Sequence, residues 1–240
     1  TLDNGSEFAR LGELKETELT TLYGYDAGGN ILSKNEYTVS FDGLGTMFNN
    51  QTYTYDSSWS DQLKTYSGYS GTITYDAGGN PIFGYNGYSM VWKKGRQLKS
   101  MSKTGNSLSF EYNANGIRTK KTANGIIHNY YLEGAKIHLK TIKNGINIKT
   151  LQYLYDDNEE ISGITIMVII IIMSKTYKDV IKLIDSNGDC VVKYTYNAWG
   201  KVVKIIDGEG LTISDTDATH IANVNPFRYR GYYYDVETDL

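Results

Sequence analysis

Four aspartates, Asp26, Asp56, Asp76 and Asp156, each directly follow a tyrosine. Carboxylates recurring in this way could hold calcium, a cation that gathers about six to eight oxygen ligands. Their spacing is sparse for that purpose, and Asn113 and Asn197 replace the carboxylate in two looser copies. A neutral amide makes the same hydrogen bond to the backbone two residues on, so the residue types point to turn caps. Neither a metal nor a cofactor is expected. His128, His138 and His220 are the only imidazoles, and none lies in His-x-x-x-His or His-Glu-x-x-His, the spacings that turn two ring nitrogens toward one zinc ion. Gly-x-Ser-x-Gly and Gly-x-x-x-x-Gly-Lys are both absent. Cys190, the one cysteine, follows the turn Ser186-Asn187-Gly188-Asp189 with no histidine near it in sequence. A thiol without a base is expected to be structural. With no set of acid, base and nucleophile, the chain is not expected to be an enzyme.

The elements that carry these turns follow from composition and period. Among 240 residues there are 22 tyrosines against 6 phenylalanines, with 25 glycines and 2 prolines. Such a chain makes many short strands and tight turns. Its 24 basic and 27 acidic side chains leave a net charge of −3, so the basic surface of a nucleic-acid binder is missing. Between turns the period is two. Leu108, Phe110 and Tyr112 share one face, as do Leu151, Tyr153 and Tyr155, and Val192, Tyr194 and Tyr196. The residues between them are mostly polar, which marks half-buried antiparallel sheet and an all-β fold. Residues 1–21 stand apart, with charges and leucines suited to a short helix or to disorder.

The turns repeat. Tyr25-Asp26-Ala27-Gly28-Gly29-Asn30 recurs unchanged as Tyr75-Asp76-Ala77-Gly78-Gly79-Asn80. Looser copies are Tyr55-Asp56, Tyr112-Asn113-Ala114-Asn115-Gly116, Tyr155-Asp156-Asp157-Asn158-Glu159 and Tyr196-Asn197-Ala198-Trp199-Gly200. Their irregular spacing makes the unit a turn joined by strands of varying length. A glycine three residues after the Asx supplies positive φ, and Glu159 stands where that glycine is expected. The tyrosines read as strand formers whose hydroxyls find partners at the sheet rim. The alternative is a ladder of rings stacked on cell-surface carbohydrate.

Three further segments complete the pattern: Val91-Trp92-Lys93-Lys94-Gly95-Arg96-Gln97-Leu98, Ile117-Arg118-Thr119-Lys120-Lys121 and Tyr130-Tyr131-Leu132-Glu133-Gly134. With the Tyr-Asp turns, they resemble a bacterial RHS/YD-repeat protein over about residues 22–240. The stretch Asn225-Pro226-Phe227-Arg228-Tyr229-Arg230-Gly231-Tyr232-Tyr233-Tyr234-Asp235 resembles the opening of the RHS-associated core signature, here taken as 225–240. The resemblance implies β-hairpins wound into a spiralling sheet that forms part of a hollow shell. In polymorphic toxins such a shell encloses a C-terminal toxin domain released by self-cleavage. The implied partners are the rest of the shell and that domain, and the implied location is secreted or at a bacterial cell surface. The aspartates of the family's self-cleavage site lie beyond Leu240, so no catalytic residue carries over. Asp235 matches a turn position, and Asp239 stands where the family has glycine. Arg228 and Arg230 alternate with Phe227, Tyr229 and Gly231, which on a strand would turn both arginines to one side.

One segment breaks the pattern. Ile164-Thr165-Ile166-Met167-Val168-Ile169-Ile170-Ile171-Ile172-Met173 is continuously apolar. It is about half the length of a membrane-spanning helix, so no membrane span is expected, and its β-branched residues favour a buried strand. Read one base out of frame from its third codon on, with suitable codons, Thr165–Asp179 becomes Asn-Gly-Asn-Asn-Tyr-Tyr-Tyr-Val-Lys-Asn-Leu-Gln-Gly. That is a turn and a tyrosine strand in the style of the repeats.

Overall fold

A computed structural model of the protein describes residues 18–40, 43–197, 200–215, 217 and 220–237. The helix or disorder expected of 1–21 lies outside the described residues up to residue 17. From there the chain is extended, with strand β1 spanning Glu18–Tyr25. Asp239 also lies outside the described residues, as do Ala198 and Trp199.

The chain divides into two units, Thr1–Arg96 and Gln97–Leu240. In the first, β1, β2 (Ile31–Ser40), β3 (Gly43–Tyr55) and β4 (Leu63–Tyr66) form an antiparallel sheet in chain order. Three short strands follow, β5 (Thr74–Tyr75), β6 (Pro81–Phe83) and β7 (Ser89–Lys93), also antiparallel in chain order. Ile73, Tyr88 and Met90 are buried there.

The second unit is a longer meander. Its strands are β8 (Gln97–Lys103), β9 (Asn106–Tyr112), β10 (Arg118–Ala123), β11 (Ile126–Glu133), β12 (Lys136–Asn144), β13 (Asn147–Tyr155), β14 (Ile161–Ile166), β15 (Ile169–Thr176), β16 (Asp179–Ile184), β17 (Cys190–Tyr196) and β18 (Val202–Asp207). Each pairs antiparallel with the next. The expected alternation holds. Leu108, Phe110, Leu151, Tyr153, Val192 and Tyr194 are buried, whereas Ser109, Glu111, Gln152 and Thr195 are exposed. A core of Leu151, Tyr153, Ile164, Ile171, Met173, Val180, Leu183, Val192, Tyr194 and Ile205 lies on one face and continues into Ala222, Val224 and Phe227. Helix α1 (Ile221–Val224) is a single turn. Among the described residues no helix is long and apolar enough to cross a membrane.

Most copies of the repeat turn share one construction, the Asp56 turn being longer. Asp26 Oδ1 accepts from the backbone N–H of Gly28 at 2.9 Å and of Asn30 at 2.8 Å, while the N–H of Gly29 donates to the Asp26 carbonyl at 3.1 Å. Gly29 has φ 88°. The same bonds recur at Asp76 and, with an amide oxygen as acceptor, at Asn113. In the third position Gly79, Gly116, Gly188, Gly200 and Gly210 all have positive φ, and so does Glu159 at 64°. Glu159 therefore occupies a left-handed site that favours glycine. Just before these turns the register slips by one residue, as at Gly24/Tyr25, Thr54/Tyr55, Leu154/Tyr155 and Thr195/Tyr196. A bulge there re-aims the tyrosine.

The apolar run is not one buried strand. It bends into a hairpin, β14 to β15, whose two-residue tip Met167–Val168 is almost fully exposed, at 83% and 92%. Ile164, Ile171 and Met173 face the core, and Ile170 and Ile172 face away from it. Pairing Ile166 with Ile169 forces the reversal, and alternation along each arm then divides the isoleucines between two faces. Met167 takes φ 55°. The out-of-frame reading would place Asn-Gly on these two positions, the residue pair that suits a two-residue hairpin.

Candidate functional site

The C-terminal signature lies across the buried face of the second unit. His220 caps α1, accepting from the N–H of Ala222 at its Nδ1, 3.1 Å away. Residues 222–228 are buried without interruption, Pro226 included. Asn225, fully buried, closes a local loop: its amide nitrogen donates to the Phe227 carbonyl at 2.8 Å, and its Oδ1 accepts from the Phe227 N–H at 3.1 Å. The Phe227 ring meets Tyr153 edge-on at 5.0 Å and Tyr233 at 5.8 Å. Arg228 stacks over Tyr234 at 4.4 Å and donates to the carbonyl of Ala222 at 3.1 Å. Its own carbonyl accepts from the Val180 N–H at 3.0 Å, which ties the segment to β16.

Arg228 and Arg230 do not face one way. Tyr229–Gly231 forms a turn of 3-10 helix, with Arg230 at φ 52°. Arg228 is buried and Arg230 exposed. The break follows from two hydrogen bonds, Arg228 N–H to the Tyr232 carbonyl at 3.2 Å and Arg230 N–H to Asp179 Oδ1 at 2.8 Å. Around it Tyr229 lies 5.9 Å from Tyr196, Gly231 packs toward Ile161 and Tyr232 is exposed.

Asp235 is more than a turn residue. It is buried and paired with both Arg118 and Lys121, the latter at 2.8 Å. Lys121 also reaches Glu237 at 2.6 Å. Burial opposes charge on all three of Arg118, Lys121 and Asp235, but their mutual attraction outweighs it. The two cations titrate above their usual ranges, and the Asp235 carboxyl is held below its own. Lys140 differs. Burial, reinforced by Lys121, pushes its ammonium down to about 7, and its Nζ donates to the Tyr233 hydroxyl at 2.8 Å. Burial, with Lys140 and Lys121, pushes His128 down to about 3, so its imidazole is neutral.

No protein-family model matches the chain. It is 30% identical over 179 residues to the tRNA3(Ser)-specific nuclease WapA of Bacillus spizizenii and 29% identical over 179 residues to the tRNA nuclease WapA of Bacillus subtilis strain 168. Each alignment takes in 70% of this chain and 7% of the relative's length. In fold it is similar to the crystal structures of TcdB2-TccC3, with TM-score 0.66 at 14% identity, and of TcdB2-TccC3-Cdc42, with TM-score 0.65 at 13% identity. These cover 92% of this chain and 11% of the matched chains, which are RHS-repeat shell proteins. The chain belongs to the RHS/YD-repeat proteins.

The tyrosine of the RHS/YD repeat has a visible task. Hydroxyls of Tyr55, Tyr75, Tyr112, Tyr155 and Tyr196 donate to the carbonyls of Ile31, Leu63, Leu98, Ile137 and Val180, at 3.0, 2.5, 2.9, 2.9 and 2.7 Å. Each acceptor is the first or second residue of the preceding strand. Tyr25 is the exception. It ends β1, with no earlier described strand to clamp, and is half exposed beside Tyr23. The repeat asparagines also reach onward: Asn30 Nδ2 to the Ser60 carbonyl at 3.2 Å and Asn80 Nδ2 to the Gly95 carbonyl at 2.7 Å. The Asp56 carboxylate caps its own turn through the N–H groups of Ser58 and Trp59. Among the described residues no group of three acidic, His or Cys side chains could hold a metal.

Sequence reasoning missed two kinds of residue. Asp185 and Asp207 build the same turn, but Ile184 and Ile206 precede them instead of tyrosine. Asx with glycine at the third place would have found the Asp207 turn and named Asp185 as the cap of the turn already read at Ser186-Asn187-Gly188-Asp189. Lys121, Lys140 and His128 carried no local signal, because their partners lie about a hundred residues away in sequence.

Proposed function

We propose that this toxin-associated stretch of RHS/YD-repeat shell is a non-catalytic wall that helps to enclose a C-terminal toxin domain of a longer protein, secreted or held at a bacterial surface. The observation that carries the reading is the commitment of its polar chemistry to holding strands together. Repeat carboxylates cap their own turns, five repeat hydroxyls bind neighbouring strands, and Asp235 is neutralised by Arg118 and Lys121. The same commitment supports packing over carbohydrate stacking for the tyrosines. Wall function is steric, and such a sheet suits it because in the second unit every strand from β8 to β18 is bonded to its chain neighbour.

The test is limited proteolysis of the full-length protein, with the C-terminal domain followed by mass spectrometry. Protection of that domain in the intact protein, and its rapid digestion when expressed alone, is the expected result. Equal digestion in both settings would overturn enclosure. Detection of nuclease activity in residues 1–240 alone would overturn the non-catalytic part.

A further inference from the structure

A cavity of about 590 Å3 opens between the C-terminal segment and strands β11–β13. Its polar floor holds Lys140 and His128, and Ile142, Ile148, Met167 and Val236 line it with apolar surface. Lys140 is 5% exposed. The nearby carboxylates Asp235 and Glu237 are paired with Arg118 and Lys121 and act on Lys140 only through space, with no ion pair to it among the described residues. Its hydrogen bond goes to a neutral phenol, and the rings of Tyr233 and Tyr130 lie 5.3 and 5.8 Å from its Nζ. Beside it the buried Nδ1 of His128 meets no hydrogen-bond partner among the described residues. A buried ammonium with no ion pair of its own and a buried ring nitrogen without a partner are each costly, and the first is relieved by a carboxylate placed in the space they border.

We propose that this cavity binds a carboxylate that carries an adjoining apolar group, its oxygens taken by the ammonium of Lys140 and its tail by Ile142, Ile148 and Met167. A cation would meet Lys140, Lys121 and Lys149, and a neutral alcohol would leave the ammonium without counter-charge. The same chemistry has two sources, a free short-chain acid or an acidic side chain of a polypeptide laid over this face. The inference does not depend on the wall reading.

The charged and titratable groups around Lys140 are Arg118 and Lys121 on β10, His128 and Tyr130 on β11, Lys149 and Tyr153 on β13, and Tyr233, Asp235 and Glu237 on the C-terminal segment. Burial brings Lys140 down to about 7, and protonated Lys140 is the form that attracts a carboxylate. Affinity therefore falls as pH rises above about 7, approaching tenfold per pH unit.

The test is calorimetric titration of the 240-residue chain at pH 6 and pH 8 with three probes: hexanoate, the blocked peptide acetyl-Leu-Asp-Leu-amide, and hexanol. Binding of hexanoate at pH 6, weakened at least fivefold at pH 8, supports a free acid as ligand. Binding of the peptide alone, with the same pH dependence, supports a polypeptide side chain. Lys140→Met should abolish both. Absence of binding by either carboxylate, equal binding of hexanol, unchanged affinity between the two pH values, or retained binding in Lys140→Met would each overturn the proposal. The pH comparison uses the unsubstituted chain, so it decides the matter even where the variant fails to fold.

Discussion

Met167 and Tyr196 show how one side chain can work against this fold or for it. At φ 55° the Cβ of Met167 crowds its own backbone, and glycine removes that strain. Met167→Gly should stabilise the second unit by about 1 kcal/mol in urea unfolding, with unchanged m-value. Glu159→Gly should also raise the melting temperature, since Glu159 is held at φ 64° and its ion pair with Lys136 is exposed. Tyr196 works for the fold. Its hydroxyl meets the Val180 carbonyl at 2.7 Å, and burial lifts its ionisation well above the usual tyrosine range. Tyr196→Phe removes one hydrogen bond and should cost about 1 kcal/mol. Tyr25→Phe, which removes no such clamp, should leave the midpoint unchanged, and the contrast between the two melts checks the assignment.

At the scale of elements, the C-terminal segment is held by two kinds of bond with different pH behaviour. Its apolar half, around Phe227, does not titrate. Its acidic half does. The Asp235 carboxyl lies below its ordinary 3.8 when folded, so the stabilisation is complete above that value and is lost as pH falls through the depressed one. Amide exchange at residues 233–237 should therefore quicken in acid before exchange in β13–β17 does; simultaneous quickening would show that the segment has no separate latch. Lys140 has the opposite sign. Its folded value is lowered from 10.5 to about 7, so the unfolded chain binds the extra proton between those values. Stability should rise as pH climbs from about 7 toward 10, and Lys140→Met should flatten that rise in thermal melts. The turns follow a simpler rule: Asn113→Asp keeps the acceptor and should be near neutral, whereas Asn113→Ala should cost about 1 kcal/mol.

The whole chain carries the liability of a meander, which is its edge. Among the described residues β1 is hydrogen-bonded on one side only, to β2, and Leu22 on it is exposed. The other terminal strand, β18, is partly covered where the Ile213 N–H donates to the Ile205 carbonyl at 3.0 Å. An open strand edge recruits another chain, so the 240-residue chain should associate in sedimentation at high concentration. Leu22→Lys should shift it toward monomer. Persistent monomer in the unsubstituted chain would mean that the β1 edge is covered.

What the sequence by itself determined is everything set by near neighbours. The all-β class, the two-residue period, the Asx turns with glycine at their third place and the irregular strand lengths follow from local sterics and hydrogen bonding, which a few consecutive residues settle. The strained place of Glu159 was legible for the same reason. Tertiary structure decided the rest. Alternation along 227–231 read as a strand, but bonds to Tyr232 and Asp179 folded it into a turn and sent Arg228 inward and Arg230 outward. The apolar run of 164–173 read as one buried strand, but strand pairing divided it at Met167–Val168. The cluster of Arg118, Lys121, His128, Lys140 and Asp235 was invisible beforehand. Pairing and burial of charges depend on which distant strands share a face, and that is settled only when the sheet assembles and residues 225–237 pack on it.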